Sequence, residues 1–122
     1  YTLHINKKEN YVETQKKRID LFFKYNLKKY TSIKIVKVEK NPMGDYFIKG
    51  YINNDKNYYF NAHASFEENF QFDGIISYSS TTLGKLFKKE NPKYILDPSE
   101  IIEKEHLDKT KYEAYPPAFF WF

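Results

Sequence analysis

A chain of 122 residues, 41% hydrophobic and 20% aromatic, has the size of one compact domain and enough rings to build a core without disulfides or a metal. It has no cysteine, which excludes a disulfide framework, a thiol nucleophile and a cysteine-based zinc site. The net charge of +4 is uneven: residues 1–61 hold 13 basic and 6 acidic groups, residues 62–122 hold 7 and 10.

The first element in the chain is a helix. From about Lys8 to Tyr30 the residues Val12, Ile19, Phe22, Phe23, Leu27 and Tyr30 recur on one stripe, with Lys16, Lys17, Asp20, Lys24 and Lys28 mostly opposite. Asn6 followed by Glu9 has the spacing of a capping box and predicts a start near residue 7. Thr31 to Lys40 is then β-rich. Ile33 and Ile35 are in one phase, Val36 and Val38 in the other, which predicts a bulge near 35–36 or a strand buried on both faces.

Asn41-Pro42-Met43-Gly44 predicts a turn, and Asp45–Asn53 a second strand with Tyr46, Ile48, Gly50 and Ile52 on one face. Tyr58, Phe60, Ala62, Ala64 and Phe66 alternate with polar positions in a third strand; Phe70, Phe72, Gly74, Ile76 and Tyr78 do so in a fourth. Three-residue loops at 54–56 and 67–69 keep these sets on one side. They set Gly50 opposite Phe60, Ile52 opposite Tyr58 and Ala62 opposite Gly74. The small residues Gly50, Ala62, Ala64 and Gly74 then form a floor for the helix.

The remainder is less patterned. Leu83, Leu86 and Phe87 predict a helical turn, and Tyr94-Ile95-Leu96 an added strand or an anchored loop. Asp97-Pro98-Ser99-Glu100 predicts the start of a helix running to about Asp108. The expected fold is therefore α+β: a long N-terminal helix on a curved antiparallel sheet of about four strands, with a C-terminal extension. Residues 1–122 form a single domain, with helix and meander over 1–82 and the extension over 83–122.

This arrangement is similar to the cystatin-like architecture. More narrowly, the Lys-rich helix ending Lys24-Tyr25-Asn26, then Asn41-Pro42-Met43-Gly44 and Gly50-Tyr51-Ile52-Asn53, resembles a staphylococcal family of small predicted lipoproteins of unknown function. That resemblance implies an exported protein, membrane-anchored or secreted, held at the membrane only by a lipid on an upstream cysteine. The start at Tyr1 without Met is compatible with it. It implies no catalytic residues. Cysteine-protease inhibition, which the architecture suggests, is opposed by Asn53-Asn54-Asp55-Lys56 in the hairpin that would carry Gln-x-Val-x-Gly, and by Trp121 following Phe instead of Pro.

The candidate chemistry lies on the outer sheet face, where Phe47, Tyr51, Tyr59, Asn61 and His63 gather and the register sets His63 opposite Asp73. A His–carboxylate pair is the arrangement for general-base work, yet no nucleophile accompanies it, and a cross-strand polar pair is the plainer reading. An exposed aromatic face suits a protein, peptide or carbohydrate partner. The competing expectation is that the C-terminal tail Tyr115–Phe122, with Trp121, folds over that face; a partner protein or the membrane interface is its other destination. The three histidines are too scattered for a metal site, and no phosphate loop or cofactor motif exists.

Nineteen of the twenty basic residues are Lys and only Arg18 is Arg, which argues against nucleic-acid recognition. The leading expectation is a non-enzymatic, monomeric, extracytoplasmic module that binds another protein or a cell-surface ligand and uses no cofactor. The alternative is a small hydrolase or ligand-binding domain on the outer sheet face or in a pocket between helix and sheet.

Overall fold

The computed structural model describes residues 2–116, with side chains from Lys7 onward. A helix α1 (Thr2–Asn26) precedes strands β1 (Ile33–Lys40), β2 (Tyr46–Ile52), β3 (Asp55–Ala64) and β4 (Ile76–Tyr78), and a short helix α2 (Pro98–Lys104) follows. The strands form one open antiparallel sheet in the order β1-β2-β3-β4, so the expected α+β class is what forms. Its core joins Ile19, Phe22 and Phe23 of α1 to Ile48, Ile52, Phe60, Ala62 and Ala64 of the sheet. The rings meet edge-on, with Phe23 and Phe60 centroids 5.3 Å apart and Phe22 and Phe72 5.5 Å apart.

The helix begins at Thr2, so Asn6 and Glu9 lie within it instead of capping it. It ends at Asn26, before Tyr30, and the cause is competition for its last groups. The Asn26 amide donates to Leu96 O (2.9 Å) and accepts from Leu96 N (3.1 Å), as a neighbouring strand would. Asn26 O takes the Lys88 amide and Lys28 N donates to Leu86 O, which sets Leu27 and Phe87 in an isolated antiparallel bridge. Tyr94-Ile95-Leu96 is thus an anchored loop, not a strand of the sheet. The helix also buries more than its apolar stripe. Tyr11, Gln15 and Arg18 are buried, while Val12 is only half-buried, because the segment after Leu83 packs α2 and the turn Lys109–Tyr112 against α1.

The sheet keeps the expected faces with three changes of detail. The bulge in β1 falls between Ile35 and Lys37 and expels Val36 to solvent, 62% exposed. Gly50 lies beneath β1 just beside it, where a Cβ would stand 2.0 Å from Lys34 O, so the strands can approach only at glycine. The β2–β3 hairpin turns on two residues, Asn53 and Asn54, both left-handed at φ 56° and 54°. Gly50 still faces Phe60 and Tyr51 faces Tyr59, but Ile52 faces Asp55 instead of Tyr58; the unpaired Lys56–Tyr58 restore the alternation that a two-residue loop alone would lose.

The fourth strand is corrected most. Residues 66–75 are a 3-10 turn and an irregular segment; Asn69 is left-handed as the sequence suggests, but so is Phe70. Only Ile76–Tyr78 pair with β3, two residues further along than the pattern predicts, so Ala62 faces Ile76 and not Gly74. A slip of two preserves the faces, which is why Ile76 and Tyr78 still join the core. The bypassed backbone bonds to α1 side chains: Tyr11 OH donates to Phe70 O (2.6 Å), Gln15 Oε1 accepts from Phe72 N (2.7 Å) and Arg18 Nε donates to Phe72 O (2.6 Å). Gly74 leaves the floor and lies against Asp97, whose Oδ1 would be 2.0 Å from a Cβ there.

Candidate functional site

The face of the sheet turned away from α1 gathers most of the residues picked out from the sequence. β2 contributes Phe47, Lys49 and Tyr51; β3 contributes His63, Asn61 and Tyr59 directly opposite them. The Phe47 and His63 rings pack edge-to-face with centroids 4.5 Å apart. At the other end Val36, Tyr51 and Tyr59 line a hollow of about 520 Å³ with Lys49, Lys56 and Asn61. Tyr59 is 54% exposed. Asn61 Oδ1 is shielded from solvent without a hydrogen-bond partner among the described residues, a small cost carried inside the β3 face of the hollow.

The charge around the hollow is one-sided. Lys34 stands opposite Tyr51 and Lys37 opposite Lys49. Glu39 is the one carboxylate among them. It bonds Lys37 and Lys49, each at 3.2 Å, and these lysines hold its acidity below the usual carboxylate range. The segment 83–116 packs on the helix side, so among the described residues the outer face has no cover from the C-terminal extension. Trp121 lies outside the described residues.

Asp73 is not on this face, and the expected His63–Asp73 pair is a correction. Because β4 pairs two residues later than predicted, His63 N meets Ile75 O. Asp73 instead pairs with Arg18 Nη2 at 3.0 Å and accepts the Ser99 amide at 2.9 Å. Arg18 also donates to Tyr112 O (2.8 Å) and Ser99 Oγ (3.3 Å), so its guanidinium ties α1 to the irregular segment, α2 and the last turn at once. Burial pulls Arg18 below its ordinary value while Asp73 and Glu113 draw it back up. Asp97 at the head of α2 is raised to about 6, chiefly by burial and then by Asp73, Glu100 and Glu68.

Two features escaped the sequence reading. Val36 at the centre of the outer patch was one of two phase-breaking residues, and the pattern does not say which is expelled. The other is a gathering of lysines from α1, the loop after Leu86 and α2 around a second hollow, which no local spacing announces. Among the described residues no group of three His, Asp or Glu is placed to hold a metal ion, and no helix is long and apolar enough to cross a membrane.

The fold and surface define an α+β domain that, among the described residues, offers an open sheet face. The chain belongs to the family described as Protein of unknown function (DUF1433), whose model matches residues 11–104. No curated protein and no solved structure matches it.

Proposed function

We propose that this protein is a non-enzymatic interaction module whose outer sheet face docks a partner protein, and that it works outside the cytoplasm on a lipoprotein-like chain. The observation that carries the docking reading is the apolar hollow of Val36, Tyr51 and Tyr59, open on the side opposite the helix. Exposed apolar side chains gathered in a hollow, Val36 beside Tyr59, are what an interface core offers before its partner arrives. Lys34, Lys37, Lys49 and Lys56 around it favour a segment that inserts an apolar or aromatic side chain and carries acidic residues beside it. The hydrolase reading loses support because its proposed acid–base pair points to different partners.

The extracytoplasmic, lipid-anchored setting rests on the resemblance of the Lys-rich helix and the Asn41–Gly44 turn to predicted lipoproteins. Protease treatment of intact cells tests it: loss of the protein supports the setting, and full protection opposes it. Docking is tested by fusing a Tyr-centred acidic peptide to a fluorophore and measuring anisotropy. The Val36→Ser/Tyr59→Ser double variant is expected to bind about thirtyfold more weakly, the cost of losing one central aromatic anchor. Equal binding by the variant would refute the docking face.

A further inference from the structure

The lysines gather in a way their sequence positions conceal. Lys24 from the last turn of α1, Lys88 and Lys89 from the loop after Phe87, Lys93 from the 3-10 turn Pro92–Tyr94, and Lys104 at the end of α2 line a hollow of about 520 Å³ beside Tyr94. No acidic residue lines it. A second hollow of about 390 Å³ shares Lys88, Lys89 and Ile95 and adds Lys28 and Lys85, with Glu90 as its one acid. The two hollows adjoin at these shared residues, and seven lysines line them together; the adjoining pair is called the groove. This groove is separate from the outer sheet face, with which it shares no residue.

Most of these ammonium groups are not engaged by carboxylates. The ion pairs among the described residues are Arg18–Asp73, Lys24–Asp20, Lys37–Glu39, Lys49–Glu39 and Lys109–Glu113. Lys24 is therefore the only groove lysine so paired, while Lys104 donates to the Tyr25 hydroxyl at 2.6 Å. Helix C-termini attract cations, which accounts for Lys24 and Lys104 without any ligand. It does not account for Lys88 and Lys89, which lie in a loop and are exposed, and a single 3-10 turn, Pro92–Tyr94, gives exposed Lys93 little of such a field.

Like charges crowded into a concave surface repel one another and focus a positive field outward. We infer that this groove binds an extended phosphate-bearing polyanion, laid from the α2 end past Lys93 and Lys88 toward Lys28. Phosphate is favoured because separate lysine ammonium groups bind it as point charges, each meeting a different oxygen of its tetrahedral group. The guanidinium fork, which serves carboxylate and phosphate alike and would add sequence reading, is missing from the groove, the only Arg, Arg18, being buried elsewhere. Compact ammonium charges suit phosphate oxygens as points and read no sequence. A concave groove also fits a chain better than a flat lipid surface.

Calorimetric titration of the whole chain with short-chain inorganic polyphosphate, over a series of NaCl concentrations, tests this. Wild-type protein is expected to bind, with log affinity falling linearly against log salt. The Lys88→Gln/Lys89→Gln/Lys93→Gln variant changes only exposed side chains. It should bind at least about tenfold more weakly, with a salt slope smaller by about two to three. A control with the same charge change on other exposed lysines, Lys7→Gln/Lys17→Gln/Lys111→Gln, should stay within about threefold of wild type. Equal losses in both variants would reduce the effect to net charge and overturn the site. So would an unaffected groove variant, or wild type that ignores polyphosphate yet binds poly-glutamate or phosphatidylglycerol vesicles.

Discussion

The Arg18 guanidinium and the Asp73 carboxylate meet at 3.0 Å, and the same Asp73 oxygen holds the Ser99 amide at 2.9 Å. This contact fastens α1, the segment before β4 and the head of α2 to one another. Arg18 is 3% exposed, so its removal strands Phe72 O and Tyr112 O as well as the carboxylate. Arg18→Met is expected to cost about 3 kcal/mol, and Arg18→Lys to recover only part of it, because one ammonium cannot span four acceptors. Urea denaturation of the variants measures this.

Asp97 gives the fold a pH dependence of definite sign. Its carboxyl is raised to about 6 in the folded chain, above the unfolded value of about 3.9, so the folded state binds the proton more tightly between those values. Stability contributed by the protonated form is present below about pH 4 and is lost as pH rises through about 6. Asp97→Asn keeps a capping side chain and cannot ionise. The difference in melting temperature, variant minus wild type, should therefore grow from pH 4 to pH 6.5 and then level off. A difference flat across that range would contradict the assignment.

At Gly50 the constraint is steric. A methyl group there would meet Lys34 O at 2.0 Å, and a backbone atom in a paired strand cannot swing aside. Gly50→Ala should destabilise by about 3 kcal/mol, near the upper end for an overpacked site, and loosen β1 first. Amide exchange that accelerates in Ile33–Lys40 ahead of β3 would be the signature.

Asn26 acts as a strand made of one side chain, exchanging both hydrogen bonds with Leu96. Asn26→Asp retains the acceptor for Leu96 N but turns an anion toward Leu96 O and Phe22 O, where two donors stood. It should cost more than Asn26→Ala, for which about 2 kcal/mol is expected. The anchored loop 92–97 should become accessible to protease in both variants.

What the sequence made legible follows from period. Alternation in β2 and β3 fixed their faces, the expected hairpin set the Gly50–Phe60 pair but missed Ile52, which meets Asp55 and not Tyr58, and the phase break announced the β1 bulge. Alternation is blind to a slip of two residues. It also cannot foresee that Tyr11, Gln15 and Arg18 would bond the backbone of 70–72 and so replace a strand partner. For that reason Asp73 looked like a neighbour of His63 and is instead the partner of Arg18. The five outer-face residues Phe47, Tyr51, Tyr59, Asn61 and His63 do gather as read, because their placement needs only the β2–β3 register. The lysine groove was hidden because its members come from three elements distant in the chain.

Docking at the outer face puts Tyr59 against a partner, and a photo-crosslinking residue in its place reads that contact without intermediaries. Irradiation in the producing cells, with the same residue at exposed Lys17 as control, should give one dominant adduct at position 59. Peptide mapping should place it on an aromatic residue with acidic neighbours in another protein. Crosslinks confined to this chain's own residues 117–122, or a pattern no different from that at Lys17, would contradict the claim.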